Sequence, residues 1–113
     1  MRLFFSSMQA IGVDIFCLNR IDLDKTNLFL RVLTEKEYLI FQSLKNDQAK
    51  KEYFGSRFAA KEAYIKAGHA NVSYSSIEIM NDQDGKPYFT NDNKALLSIS
   101  HEKEYAIAFV VSF

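Results

Sequence analysis

The stretch from 47 to 67 constrains this chain most, because it contains no proline and is rich in Ala, Glu and Lys. Such residues favour a helix, so the pattern predicts one long helix. At 100° per residue, Phe54, Phe58 and Ile65 fall close together, about 60–100° from Arg57. The helix is therefore predicted to anchor itself to the rest of the chain through this apolar stripe.

Glu62 and Lys66 lie on another side of the same predicted helix. Gly55, Ala59 and Ala63 are spaced four apart and flank this charged pair. Two interpretations remain open. The pair is either an i,i+4 salt bridge on a solvated face beside a close helix–helix contact, or it faces a space that something else approaches.

The remaining sequence predicts helices before this one and short strands after it. Residues 26–44 have helical character, and Thr34 and Glu37 have capping-box spacing, which predicts a break near Leu33. Strands are predicted at 76–80, 86–89, 96–100 and 105–113, with turns at 84–85 and 102–104. This order favours an α+β fold with an antiparallel sheet, in a single domain over residues 1–113.

Residues 10–18 alternate as a strand does, and this strand contains one carboxylate, Asp14, with Gly12 on the same face. A carboxylate in an apolar strand needs a partner: a metal, an arginine, or hydrogen-bond donors at the end of a sheet. Asp14 and Glu62 together would suit a hard divalent cation such as Mg²⁺, which takes few protein ligands plus water and substrate phosphates. His101 ends another strand, where a structural role is the commoner one.

Charge and cysteine content exclude several classes of function. The formal net charge is zero, which disfavours a nucleic-acid-binding protein. The first 66 residues carry an excess of three positive charges, which suits an acidic partner or a phosphorylated ligand. Cys17 is the single cysteine, so an internal disulfide or cysteine-cluster metal site is excluded.

Targeting and catalytic motifs of several other classes are missing. No apolar stretch is long enough to span a membrane, and polar residues interrupt positions 1–9 too early for a signal peptide. We therefore expect a cytoplasmic protein without a membrane partner. The sequence has no Gly-x-x-x-x-Gly-Lys phosphate loop, no zinc-ligand spacing and no Gly-x-Ser-x-Gly elbow.

Several short motifs occur in order and together resemble the holo-acyl-carrier-protein synthases. They are IGVDI at 11–15 with Arg20-Ile21, RVLT at 31–34, FGSRFAAKEAYIKA at 54–67, IEI at 77–79, DGKPY at 84–88, and SISH at 98–101 with Tyr105-Ala106. The resemblance covers nearly the whole chain from Ala10 onward. It implies the 4'-phosphopantetheinyl transferase fold, in which an antiparallel sheet packs against the long signature helix.

The resemblance also implies an activity. Members of this family transfer 4'-phosphopantetheine from coenzyme A to a serine of apo-acyl carrier protein and release 3',5'-ADP, in fatty acid and lipid biosynthesis. They depend on Mg²⁺ and form homotrimers with active sites between neighbouring subunits. The serine's proton would leave through a metal-polarised water or through Glu62.

Site residues follow from the same resemblance, position by position. Asp14 and Glu62 match the magnesium ligands, with the coenzyme A diphosphate completing the shell, and Lys66 matches a lysine near the transferred phosphate. The nucleotide site is expected to include Arg57, Lys61 and His101, while Gly85, Lys86 and Pro87 border the adenine. Arg20 and Arg31 match basic residues that dock the acidic helix of the carrier protein.

This chain departs from the family pattern at three places. Cys17 stands where the family usually has Glu, although Asp14 is retained. The loop at 68–71 is several residues shorter than the family's Gly-Thr-Gly loop, which affects the wall of the substrate cleft. Residues 1–8 extend beyond the family's usual start, to which Met8 is a closer match.

Two other functions compete with transfer. One is a non-catalytic module that binds coenzyme A or a nucleotide on the same fold, against which the intact Asp14, Glu62 and Lys66 argue. The other is a metal-dependent phosphohydrolase, for which the chain lacks further carboxylate or histidine ligands. Transfer to apo-acyl carrier protein separates the three.

Overall fold

The computed structural model describes residues 9–113, so the expectations for residues 1–8 lie outside the described part. Three consecutive helices follow the first strand, and the other four strands come after the helices. Their order is β1 (Ala10–Cys17), a 3₁₀ turn (Leu18–Arg20), α1 (Thr26–Val32), α2 (Glu35–Ser43), α3 (Asp47–Lys66), a second 3₁₀ turn (Tyr74–Ser76), β2 (Ile79–Asn81), β3 (Pro87–Phe89), β4 (Ala95–His101) and β5 (Tyr105–Ser112).

The predicted break between the first two helices is confirmed. Leu33 has extended backbone dihedrals and separates α1 from α2. The Thr34 hydroxyl accepts a hydrogen bond from the Glu37 amide, and the Glu37 carboxylate accepts one from the Thr34 amide. This capping box satisfies two amide groups that the first turn of α2 leaves without helical partners.

The main sheet has three antiparallel strands in the order β1-β5-β4. β4 and β5 form the predicted hairpin, and β1 pairs with the far edge of β5, so that Val13 lies opposite Phe109 and Phe109 opposite Ser98. One face of the sheet packs on α3. The other face exposes apolar side chains, of which Ile11, Val13, Ile15, Leu96, Ile107 and Phe109 are each between 41% and 59% exposed.

α3 crosses the sheet very close to β1, and a glycine allows this approach. A Cβ atom at Gly12 would lie 2.0 Å from the Ala63 carbonyl oxygen, and one at Gly55 would lie 2.2 Å from the Leu18 side chain. Ala59 and Ala63 are fully buried. The small residues of α3 therefore fit the protein's own β1 and the turn after it, which contradicts the interpretation that they leave space for another molecule.

The smaller sheet pairs β2 with β3. The hairpin turn is confirmed, and Gly85 adopts a φ of 84°, which favours glycine. The Asp82 carboxylate accepts hydrogen bonds from the Asp84 and Lys86 amides and so closes this turn. The strand predicted at 76–80 begins later, at Ile79, because the preceding residues form the second 3₁₀ turn.

Two apolar clusters hold these elements together. One lies between α3 and the two sheets, around Ala60, Ile79 and Val110. The other is aromatic and joins α1 and α2 to α3, with the rings of Phe29 and Phe54 4.8 Å apart. Among the helices of residues 9–113, none is long and apolar enough to cross a membrane.

Candidate functional site

Asp14 and Lys66 meet where β1 lies against the last turn of α3. The Lys66 ammonium lies 3.1 Å from Asp14 Oδ1 and 3.2 Å from the Val13 carbonyl oxygen. The Asp14 side chain is 17% exposed and that of Lys66 is 54% exposed. The Lys66 side chain is therefore largely solvated. A surface ion pair of this kind holds its ammonium only weakly.

Glu62 lies one helical turn before Lys66 but pairs with a different residue. The Tyr74 hydroxyl donates a hydrogen bond of 2.6 Å to Glu62 Oε1. This bond, burial, and the negative charges of Glu62 and Asp14 raise the pKa of Tyr74 to about 12. Tyr74 is therefore a neutral hydrogen-bond donor at neutral pH. The predicted i,i+4 salt bridge of Glu62 and Lys66 does not form among the described residues.

The chemistry of this donor set fits a hard cation. Asp14 and Glu62 supply carboxylate oxygens, the ligands that Mg²⁺ prefers. No cluster of three or more His, Cys, Asp or Glu side chains suited to a metal occurs within 9–113. The protein would therefore supply two ligands, leaving the other positions for water and phosphate oxygens, which is typical of magnesium sites.

A second group of the predicted residues lines a separate cleft of about 320 Å³. Arg57, Gly85, Pro87 and His101 all contribute to its wall. Lys86 lies in the adjoining groove, beside Tyr88 and Leu96. The cleft therefore brings the signature helix, the β2–β3 turn and the end of β4 to one place.

Arg57 has an unusual environment in this cleft. Its side chain packs 4.2 Å over the ring of Tyr53 and donates a hydrogen bond of 3.3 Å to Asn81. Arg57 Nε and the Tyr53 hydroxyl are buried without hydrogen-bond partners in the described part of the chain. Burial is also the main reason that the pKa of Tyr53 is raised to about 12. The positive charge of the Arg57 guanidinium in this wall suits an anionic ligand.

His101 lies at the rim of the same cleft. Its Nδ1 is 3.8 Å from the Glu52 carboxylate, and its side chain is 45% exposed. The histidine is therefore accessible from the cleft and is not enclosed as a core residue would be.

The two groups lie on opposite sides of α3. Arg57 and Lys66 are nine residues apart, which corresponds to about 13 Å along the axis and a rotation of about 180°. Asp14 lies with Lys66, whereas His101, Gly85 and Pro87 lie with Arg57. The chain therefore presents the two groups in different directions.

The predicted role of Lys61 in the nucleotide site needs correction. Its ammonium is fully buried, pairs with the Glu37 carboxylate, and donates a hydrogen bond of 2.6 Å to the Val32 carbonyl oxygen. Burial lowers the pKa of Lys61, while Glu37 opposes this shift. Lys61 connects α3 to α1 and α2 in the core, so its ammonium does not reach the cleft.

The two arginines predicted to dock a partner are both exposed. The Arg20 guanidinium lies 5.6 Å from the ring centroid of Phe16, on the Asp14 side of β1. Arg31 occupies the last turn of α1. Their exposure is compatible with docking an acidic surface.

Two residues of these sites were missed by sequence reasoning. Tyr74 lies in a segment that follows a short loop, and no periodicity linked it to Glu62. Tyr53 lies one turn before Arg57, so the i,i+4 spacing was a usable signal for an aromatic–cation contact.

Most of the chain is similar to known proteins in sequence. Residues 10–110 match the family described as the 4'-phosphopantetheinyl transferase superfamily. The chain is 45% identical over 112 residues to the holo-[acyl-carrier-protein] synthase of Oceanobacillus iheyensis, covering 90% of this chain and 93% of that protein. It is 34% identical over 116 residues to the synthase of Petrotoga mobilis, covering 92% and 95%.

The fold is similar to solved structures as well. A crystal structure of a holo-(acyl-carrier-protein) synthase from Bacillus anthracis in complex with CoA (3',5'-ADP) superposes with a TM-score of 0.84 and 41% identity, covering 93% of this chain and 96% of that one. The Helicobacter pylori enzyme in complex with coenzyme A gives a TM-score of 0.75 and 27% identity, covering 91% and 99%. The similarity in sequence and the similarity in fold thus both extend along most of the chain.

Proposed function

Since this chain belongs to the holo-acyl-carrier-protein synthases of the 4'-phosphopantetheinyl transferase superfamily, we propose that Asp14, Glu62 and Lys66 form the centre at which it transfers phosphopantetheine from coenzyme A. The acceptor is a serine of apo-acyl carrier protein. The observation that supports this assignment is the contact of the Lys66 ammonium with Asp14 Oδ1, one helical turn along α3 from Glu62.

Phosphoryl transfer needs positioning and charge neutralisation more than covalent help from the protein. The carrier serine attacks the β-phosphorus of coenzyme A, its bond to that phosphorus forms, and the bond to 3',5'-ADP breaks. The exposed ammonium of Lys66 can move from Asp14 to the phosphate oxygens and stabilise the negative charge on the leaving group. The proton of the serine hydroxyl can pass to a water molecule in the site or to the Glu62 carboxylate.

We propose Mg²⁺ as the cation held by Asp14 and Glu62. When bound, it would neutralise phosphate charge and orient the diphosphate. Cys17 lies on the opposite face of β1, so no thiolate is available to favour a soft metal. With only two protein ligands, metal binding should be weak without coenzyme A and tighter with it.

We propose that the complete site forms between subunits of a homotrimer. The two groups face different sides of α3, so the Arg57 cleft of one chain could meet the Asp14 carboxylate of a neighbouring chain. The apolar outer face of the sheet supports such an assembly, since contiguous exposed apolar surface of this kind marks interaction sites. The positive charge of Arg57 in the wall of the cleft supports a phosphate of coenzyme A as the cleft's ligand.

The remaining partners follow from the reaction. Arg20 and Arg31 would bind the acidic carrier protein, and fatty acid and lipid biosynthesis would use the product. A cytoplasmic location would suit a chain whose single cysteine forms no internal disulfide.

The test is to incubate the protein with apo-acyl carrier protein, coenzyme A and Mg²⁺ and to measure the mass of the carrier. We expect a mass gain equal to phosphopantetheine, abolished by EDTA and restored by excess Mg²⁺. Coenzyme A that binds while the carrier mass stays unchanged would favour the non-catalytic binding module, and release of phosphate would favour a phosphohydrolase.

Glu62→Gln and Asp14→Asn are the matched variants for the metal assignment. Both keep the size of the side chain and remove the charge that Mg²⁺ requires. Each should abolish transfer while the circular dichroism spectrum and the unfolding midpoint stay close to those of the wild type. Transfer retained within a few-fold in either variant would contradict the assignment.

A further inference from the structure

The partner of Glu62 is unexpected for a residue at this position. On a helix, Glu62 and Lys66 have the spacing at which a carboxylate and an ammonium normally pair. In this protein Lys66 pairs with Asp14, and Glu62 Oε1 accepts the hydrogen bond of Tyr74 instead. Within residues 9–113, Glu62 Oε2 accepts no hydrogen bond. A neutral donor thus fixes the carboxylate without cancelling its charge.

A backbone hydrogen bond and an aromatic contact hold Tyr74 in position. The second 3₁₀ turn is closed by the Ile77 amide, which donates to the Tyr74 carbonyl oxygen. The Tyr74 ring packs against Phe58, with ring centroids 5.4 Å apart. Since Phe58 precedes Glu62 by one helical turn, Tyr74 extends along the face of α3, with its ring on one turn and its hydroxyl on the next.

The same aromatic contacts continue to the strand that contains Asp14. The ring of Phe58 lies 5.1 Å from that of Phe16 in an edge-on arrangement. Phe16 and Asp14 lie on the same face of β1. Tyr74 is therefore packed, through Phe58, against the element that carries the second carboxylate of the site.

We propose that Tyr74 is a positioning residue that orients Glu62 toward the divalent cation and keeps its charge from being neutralised by Lys66. The proposal rests on the proposed function, because it takes Glu62 as a ligand of the cation. Without the Tyr74 hydroxyl, Glu62 would be free to rotate and to pair with Lys66 at i,i+4 spacing. Groups that orient metal ligands typically contribute about 10–100-fold in metal affinity or activity.

The test compares Tyr74→Phe with a matched control, Tyr64→Phe. The Tyr64 hydroxyl also donates to a carboxylate, at 2.7 Å from Asp92 Oδ2, but away from the site. Mn²⁺ binding is measured by electron paramagnetic resonance with coenzyme A present and carrier protein absent. Transfer kinetics and thermal unfolding midpoints are measured alongside.

We expect Tyr74→Phe to weaken Mn²⁺ binding about 10-fold and to lower kcat by a similar factor, with the KM for carrier protein unchanged. Tyr64→Phe should leave Mn²⁺ affinity and kcat at wild-type values, even if both variants unfold at a lower temperature. Wild-type Mn²⁺ affinity in Tyr74→Phe, or an equal loss in Tyr64→Phe, would overturn the proposal.

The wild-type protein separates this proposal from the proposed function. If it transfers phosphopantetheine but Tyr74→Phe binds Mn²⁺ normally, only the role of Tyr74 is wrong. If it does not transfer, the proposed function is wrong, and the Mn²⁺ titrations still decide whether Tyr74 orients Glu62. Absence of Mn²⁺ binding by the wild type would overturn the role of Tyr74 together with the metal site.

Discussion

At the scale of single residues, the ammonium of Lys61 is held by residues of two other helices. Glu37, at the start of α2, pairs with it, and the Val32 carbonyl oxygen at the end of α1 accepts its hydrogen bond. Glu37 Oε2 also accepts a hydrogen bond of 2.9 Å from the Ile79 amide of β2. Each charge of this buried pair therefore has a partner, which is the condition for tolerating it in a core.

Removing one partner of this buried ion pair should lower the free energy of unfolding. Lys61→Met leaves the Glu37 charge unpaired in the core, and we expect the free energy of unfolding to fall by about 3–5 kcal/mol. Adding Glu37→Gln should recover part of this loss, because the uncompensated charge disappears. Lys36→Met, at an exposed position of α2, should change stability by less than about 0.5 kcal/mol. Urea denaturation measures all three.

The same variants test the corrected role of Lys61. If Lys61 is purely structural, the folded fraction of Lys61→Met should bind coenzyme A with wild-type affinity, as measured by calorimetry below the unfolding transition. Weaker coenzyme A binding by fully folded Lys61→Met would instead support a role of Lys61 in the nucleotide site.

At the scale of elements, the contact of β1 with α3 determines where the two carboxylates lie. Gly12 brings the backbone of β1 against the Ala63 carbonyl oxygen, and Asp14 follows two residues later on the same face. The spacing between Asp14 and the last turn of α3 is therefore set by the absence of a side chain at Gly12. A wider separation would move Asp14 away from Glu62.

Gly12→Ala should act on both stability and transfer. The added Cβ collides with backbone atoms that cannot rotate away, so we expect a loss of about 1–3 kcal/mol and a larger fall in kcat than partial unfolding explains. The control is Ile79→Val, at a fully buried position of the core away from the proposed transfer centre. It should cost about 0.5–1.5 kcal/mol with kcat unchanged. Equal kinetic effects would show that close packing at Gly12 does not position the site.

Elements with strong local signals could be predicted from the sequence, whereas contacts between distant elements could not. The capping box of Thr34 and the turn at Gly85 are determined by neighbouring residues, and both were predicted. The burial of Lys61 depends on Glu37, which is 24 positions away, and a lysine in a helix is otherwise typical of a solvated face. The small residues of α3 were recognised, but sequence spacing does not reveal which element fills the space beside them.

At the scale of the whole molecule, the outer face of the sheet is apolar across all three strands. Phe109 lies at its centre, between Val13 of β1 and Ser98 of β4 in the register. It is 41% exposed, and Val13 is 55% exposed. Covering this face in a homotrimer would bury these side chains.

Phe109→Glu should therefore dissociate the proposed homotrimer. A charge at the centre of an apolar interface is strongly unfavourable, whereas the same charge on a solvated face is tolerated. We expect a folded monomer by light scattering, with transfer lost. Leu39→Glu, at an apolar position of α2 that is 63% exposed, should remain assembled and active. An active Phe109→Glu monomer would contradict a site shared between subunits.

Docking of the carrier protein should depend on Arg20 and Arg31. Charge reversal at either position should raise the KM for carrier protein, as high salt does for the wild type, without changing the KM for coenzyme A. Lys94→Glu, at an exposed lysine before β4, serves as the control for added negative charge. Equal effects on both substrates would mean that the arginines support the fold.

Arg57 and Glu62 lie about 140° apart around α3, and this separation has a consequence for genetic complementation. If each site combines Glu62 of one chain with Arg57 of the next, a chain defective at Arg57 and a chain defective at Glu62 can complement each other. In randomly mixed trimers, about one quarter of the sites would receive both intact residues. Two inactive alleles expressed together should then restore activity that neither gives alone.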